Sequence, residues 1–135
     1  MGGVIHTAKK GEGFPNWILL SRALSNHDAI TAYTLLAERY SPPIAGRALI
    51  ELIKTVPDWP KAEDWEDVLY DQKLTHRELQ VLRCAELGMS NEQTGKELFL
   101  GIETVKTYRT YILIKLEAKS IGEAIHLAHN QGLIE

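Results

Sequence analysis

The side chains best suited to chemistry lie between Gly101 and Leu116. At 3.6 residues per turn, Val105, Tyr108, Ile112 and Leu116 fall on one helix face. Glu103, Lys106, Thr107 and Thr110 fall on the opposite side, with Arg109 at the border. A lysine ammonium can donate to guanine, and a threonine offers both a hydroxyl and a methyl that can touch thymine. Such a short, polar, partly basic surface can enter a major groove. Any amphipathic surface helix also has a polar side, however, and taken alone the segment fits a core-packing helix better.

Other chemistries are poorly supplied. Cys84 is the only cysteine, which leaves no intrachain disulfide and no cysteine-based zinc cluster. Lying between Leu82 and Leu87 in an apolar helical pattern, it reads as a buried small hydrophobe rather than a reactive thiol. His6, His27, His76, His126 and His129 show no ligand spacing with a partner carboxylate, so no metal is expected. Asp64, Glu66 and Asp67 form a carboxylate cluster, which on a short helix is usually a solvated face. There is no glycine-rich phosphate loop, nucleophile elbow or His-Glu metal motif, so neither an enzyme nor a cofactor is expected.

The elements that must position these residues fit a small helical chain. Its 135 residues make one medium domain or two very small ones, and a 44% hydrophobic fraction is ordinary for a globular protein. No apolar run reaches the roughly 18 to 20 residues of a membrane span. Met1 to Lys10 lacks the apolar core of a secretory signal, so a cytoplasmic protein is expected. Net charge is −3, with eight basic and ten acidic residues up to Lys73 and seven and eight after it. Neither part is basic, so any DNA binding must come from local placement of charge and from pairing of two copies.

Residues 1–13, with four glycines and no periodicity, predict a loose arm. Residues 14–71 predict a helical module. One short helix follows Pro15. A second is capped by Ser25 with Asp28 and carries Ile30, Tyr33, Leu36, Ala37 and Tyr40 as its stripe. A third follows Ser41-Pro-Pro43 with Ile44, Ala48, Leu49, Leu52 and Ile53 inward. Pro57-Asp-Trp-Pro60 is a break, and an acidic helix over 61–70 comes next. Residues 72–135 are more explicit. Thr75 with Glu78, Ser90 with Gln93 and Ser120 with Glu123 are capping boxes, and Gly88 ends the first of these helices. Four short helices in about 60 residues, joined by tight turns, are a helix-turn-helix layout.

Leu74-Thr-His-Arg-Glu-Leu-Gln-Val-Leu82, Gly88-Met-Ser-Asn91, Thr104-Val-Lys-Thr107, Ile112-Leu113, Lys115-Leu116 and Ser120 with Glu123-Ala124 resemble the LuxR/GerE-type DNA-binding domain, also found in NarL/FixJ response regulators. The match covers roughly residues 72–135. The resemblance implies an all-α fold whose recognition helix, about 102–116, lies in the major groove. It implies base readout by Lys106, Thr107, Thr110 and Arg109, and backbone contacts by Asn91, Lys96, Tyr108 and Lys115. Glu78 would brace the domain. The helix from Ser120 would pair two copies, with Ala124, Ile125 and Ala128 at or near the seam, although burial on their own domain accounts for these residues equally well.

This sequence departs from the family at several points. Thr94-Gly95 replaces an apolar residue followed by alanine, which predicts a scaffold helix weaker by roughly 1 kcal/mol. Gly101 replaces a common serine cap, and Tyr108 stands where histidine is frequent. Glu92, Glu97 and Glu103 add negative charge. The N-terminal half does not resemble a receiver domain or an acyl-homoserine-lactone pocket, and a dimerisation or partner-docking role is expected for it. The expected function is a sequence-specific transcription regulator that binds double-stranded DNA as a homodimer. The alternative is an antagonist that uses the same fold to bind another regulator or RNA polymerase.

Overall fold

The computed structural model describes residues 16–60, 62 and 64–135, so the arm expected over 1–13, Pro15 and parts of the acidic helix lie outside the described residues. Among the described residues there are eight helices and no strand, as the all-α reading expects. They are α1 (Trp17–Ser25), α2 (Ala29–Ala37), α3 (Pro42–Thr55), α4 (Asp64–Tyr70), α5 (His76–Glu86), α6 (Asn91–Leu98), α7 (Ile102–Leu116) and α8 (Ile121–Asn130). None is long and apolar enough to cross a membrane.

Local chemistry sets most of the helix starts. The Asn16 side chain accepts from the amides of Ile18 and Leu19. Asp28 is itself the N-cap of α2, accepting from the Thr31 amide at 3.2 Å, whereas Ser25 closes α1. The expected Ser25–Asp28 box is therefore displaced by one function: the acid caps the helix instead of reaching back to a serine. Pro42 and Pro43 occupy the first two positions of α3, where a missing N–H costs nothing. The inward stripe of α3 is Ala45, Gly46, Leu49, Ile50 and Ile53, while Ile44 is exposed, one residue's rotation away from the expected face.

Helix α7 is the hub of the packing. It lies against α2, α3, α4, α5, α6 and α8. Its last two turns are largely enclosed, with Thr110, Ile112, Leu113, Ile114, Lys115 and Leu116 buried and Tyr111 half-buried. The buried side chains form one cluster running from Leu20 to Ile134, so the N-terminal helices and the C-terminal ones share a core. Close approach is possible where α3 presents Gly46, since a Cβ there would meet Ile114 Cγ2 at 3.0 Å.

Tyr33 crosses the same seam. Its hydroxyl is buried and donates to the Ala118 carbonyl at 2.7 Å, tying α2 to the turn after α7. Burial pushes the Tyr33 hydroxyl well above its ordinary pKa, helped by the nearby charges of Glu123 and Glu117. A folded-state pKa above the unfolded value stabilises fully at lower pH, and that contribution is lost once pH climbs past about 10. Urea midpoints are thus expected to fall steeply above about pH 10, and Tyr33→Phe should lessen that fall. At neutral pH the same substitution should cost about 1–3 kcal/mol for the carbonyl left unpaired.

Candidate nucleic-acid interface

The α5–α6–α7 unit is assembled by caps and one tight turn. Thr75 Oγ1 accepts from the Glu78 amide at 3.1 Å, and Glu78 Oε1 accepts from the Thr75 amide at 2.8 Å, a complete capping box. Ser90 and Gln93 repeat the arrangement at the start of α6. Gly88, at φ +83°, supplies the left-handed residue after α5. Between α6 and α7, Phe99 adopts φ 59° and is 92% exposed. The Leu100 amide then donates back to the Gly95 carbonyl at 2.8 Å. A Cβ on Gly95 would stand 2.5 Å from the Leu100 carbonyl oxygen. The glycine expected to weaken α6 is thus the residue that lets the turn fold against it. Arg77 completes the corner by donating to the Leu98 carbonyl at 3.1 Å.

This unit presents the start of α7. Gly101 occupies the N-cap without a side-chain hydrogen bond, so no side chain caps the first amides of α7. Ile102, Glu103 and Thr104 are exposed, and Lys106 and Thr107 are half-buried. Lys106 Nζ lies 3.4 Å from Glu103 Oε2, an exposed pair that competes weakly with any external partner. Lys96 is exposed in the last turn of α6. Uncapped amides with two lysines nearby suit phosphate oxygens, and Thr107 with Lys106 suits base edges.

Other expected contacts lie elsewhere. Thr110 is 0% exposed, and its hydroxyl donates to the Lys106 carbonyl at 2.9 Å, so it does not face outward. The reason is the position of α7 at the centre of the packing, where six other helices lie against it. Lys115 is also buried. Its ammonium donates to Glu78 Oε1 at 2.9 Å and to the Lys73 carbonyl at 3.0 Å, which bars it from a phosphate. Arg109 donates to the Met89 carbonyl at 2.9 Å, and burial pulls its guanidinium below its ordinary pKa. It holds the α5–α6 loop. Asn91 is half-buried at the start of α6, with a buried Oδ1 that has no partner in the structure. Tyr108 leans on Tyr111 with ring centroids 6.4 Å apart.

Helix α8 is held by its own domain. Ala124 and Ala128 are fully buried, so neither offers a side chain to a second copy; Ile125 is half-buried. The Ser120 box is half formed, because Ser120 accepts from the Glu123 amide but Glu123 accepts from the Lys119 amide instead. His129 pairs with Glu86 across to α5. Burial pushes the Cys84 thiol up, in keeping with an unreactive core residue.

Sequence reasoning missed an aromatic series that joins the N-terminal helices to α7. It runs through His27, Trp59, Trp65, Tyr111 and Tyr108. The series joins three stretches distant in the chain, around His27, Trp59–Trp65 and Tyr108–Tyr111, and no local spacing announces their meeting.

The family described as bacterial regulatory proteins, luxR family, matches residues 72–128. The chain is 33% identical over 114 residues to the transcriptional regulatory protein LiaR of Bacillus subtilis, covering 84% of this chain and 50% of LiaR. That match is longer than residues 72–135 and so extends into the N-terminal half. BvgA of Bordetella pertussis, a regulator named for virulence factors, is 45% identical over 60 residues, 44% of this chain and 29% of BvgA. The HTH-type transcriptional activator RamA of Corynebacterium glutamicum is 40% identical over 62 residues, 46% of this chain and 22% of RamA. The chain spans half or less of the length of these relatives. No solved structure matches it.

Two substitutions test how this surface is held. Gly95→Ala should lower unfolding free energy by about 1–3 kcal/mol, because backbone and not a flexible tip must move. A neutral result in urea titration would mean that the α6–α7 turn is built differently. Lys115→Ala should cost about 3–5 kcal/mol by leaving Glu78 charged and buried, and Glu78→Leu with Lys115→Met should recover part of it. A loss below about 1 kcal/mol for Lys115→Ala would place this pair among the weak exposed ones.

Proposed function

Residues 72–128 are a luxR-family helix-turn-helix domain, and on that premise we propose that this chain is a transcription regulator that binds double-stranded DNA sequence-specifically as a dimer. The observation that carries the reading is the outward start of α7, with uncapped amides, Lys106 and Thr107 presented together beyond a turn fixed by Gly95. In this reading Lys106 and Thr107 meet base edges, while Lys96, Asn91 and the α7 amides position the backbone. Arg109 and Lys115 act from behind, as braces.

Dimerisation follows from the charge. On α6 and the first two turns of α7 the exposed or half-exposed charges are Lys96, Lys106 and Arg109, the last already tied to the Met89 carbonyl, against Glu92, Glu97 and Glu103. Affinity for a duplex grows with the number of phosphates neutralised, and one such surface neutralises few. Two copies double the contacts. Ile121, Ile125 and Leu127, all half-buried on α8, are the apolar side chains left for a seam there. The same charge balance favours a second reading, in which the fold docks on another regulator or on RNA polymerase.

Binding of the purified full chain to a random-sequence duplex pool, with its mass measured in solution, separates the two. Selective binding is expected. Lys96→Ala should weaken it and reduce the slope of log K against log salt by about one, whereas Lys106→Ala should weaken it and relax its sequence preference. Thr110→Ala, buried, should leave the affinity of the folded protein unchanged. Normal binding by Lys106→Ala would remove α7 from the reading role, and no selective binding at moderate salt would leave the docking reading.

A further inference from the structure

A cavity of about 690 Å³ lies where the N-terminal helices meet the first half of α7. That volume is in the range of small-molecule sites, roughly 300–1,000 Å³. Its wall is the aromatic series. His27 and Trp59 lie 5.0 Å apart, Trp59 and Trp65 6.1 Å, and Trp65 and Tyr111 4.7 Å, the last two pairs edge-on. Trp59 and Trp65 are buried, which makes this a fixed surface and not a set of loose side chains.

Exposed carboxylates also line it. Asp64, Asp67, Asp71 and Glu103 all contribute to it, and all four are exposed. Among the described residues, Asp64, Asp67 and Asp71 have no cationic partner within 4 Å. The lysine among the lining residues, Lys115, is already bound to Glu78. The field of these acids is felt inside. The Tyr111 hydroxyl is pushed well above its ordinary pKa, first by burial and then by Asp64, Glu78, Tyr108 and Asp67.

Aromatic faces carry negative charge density and attract cations, most strongly where water is excluded. An anion here would meet both the ring faces and the carboxylates. A neutral apolar body would fill the wall but leave the carboxylates uncompensated. A hydrophobic cation satisfies both halves of the cavity. We propose that this cavity binds a hydrophobic organic cation, with its apolar body against Trp59, Trp65 and Tyr111 and its positive centre facing Asp64 and Asp67.

The cavity also includes Thr104, Thr107 and Tyr108, so an occupant touches the side chains that flank the outward start of α7. Binding there is coupled to DNA binding through one helix, and by linkage each ligand alters the affinity of the other. That coupling rests on the function proposed above; occupancy of the cavity does not.

Tetraphenylphosphonium and tetraphenylborate have nearly the same size and shape with opposite charge. Titrated into the full chain carrying Trp17→Phe, so that Trp59 and Trp65 report, the phosphonium should quench fluorescence saturably. The borate should bind at least about tenfold more weakly. Asp64→Asn with Asp67→Asn, both exposed and therefore compatible with folding, should weaken the phosphonium by about tenfold and close the gap between the two ions. Equal binding of both ions, absence of saturable quenching, or an unchanged affinity in the double variant would each overturn the proposal. All of these readouts are independent of DNA.

Discussion

The structure turns on one buried charge pair. Glu78 and Lys115 are 2% and 8% exposed, and a single carboxylate oxygen of Glu78 accepts from both Lys115 Nζ and the Thr75 amide. The ammonium spends a second donor on the Lys73 carbonyl. One contact therefore joins the start of α5, the segment before it and the end of α7. A buried pair of this kind need not be more stabilising than two apolar side chains of the same volume, because desolvation offsets most of the attraction. What it supplies is register. Nine residues separate Lys106 from Lys115, two and a half helical turns. Holding Lys115 inward by a directional bond therefore turns Lys106 outward.

Around that axis α7 serves two purposes that conflict. Its second half is hydrophobic or tied down on every side, as expected of a helix in the middle of a core. Ile112 and Leu116 pack one way, Ile114 lies under Gly46 of α3, and Leu113 and Ala118 lie near the Tyr33 hydroxyl of α2. The N-terminal helices are thus part of what stabilises this helix, and not an appendage beside it. Only the first two turns remain for an external partner. Thr110 marks the border, a polar side chain in the enclosed region whose hydroxyl is satisfied by its own helix.

Which parts of this were legible follows from how local each signal is. The boxes at Thr75 and Ser90, the glycine at 88 and the proline pair at 42 and 43 act over three or four residues, and each appears where the sequence places it. Ser25 and Ser120 show the limit of such patterns, since an acid three residues on can cap by itself or reach one residue further back. Burial is not local. Periodicity gave Thr110 to the polar face of α7, and the resemblance gave Lys115 to the duplex and Ala124 to a seam. The partners that bury them come from Glu78, from the helices packed around α7, and from the domain's own core. Gly95 is a sharper case. Helix propensity counts it as a defect, yet the Leu100 carbonyl 2.5 Å from its would-be Cβ makes any larger residue the defect.

The division of α7 also limits how the protein can recognise anything. A helix that spends its C-terminal half on the core has only a few side chains left for base edges, and here one of its neighbours is Glu103, within 3.4 Å of Lys106. In water such a pair contributes little, but a base edge approaching Lys106 must first compete with it. The uncapped amides of α7 offset part of that cost by presenting free donors, although Glu103 shares their first turn. Specificity can then reside in Thr107 and Lys106 while affinity is gathered elsewhere. On the function proposed above, that arrangement leaves a single reading surface weak, and makes its occupancy depend on a second copy or on whatever fills the aromatic cavity behind the same two turns.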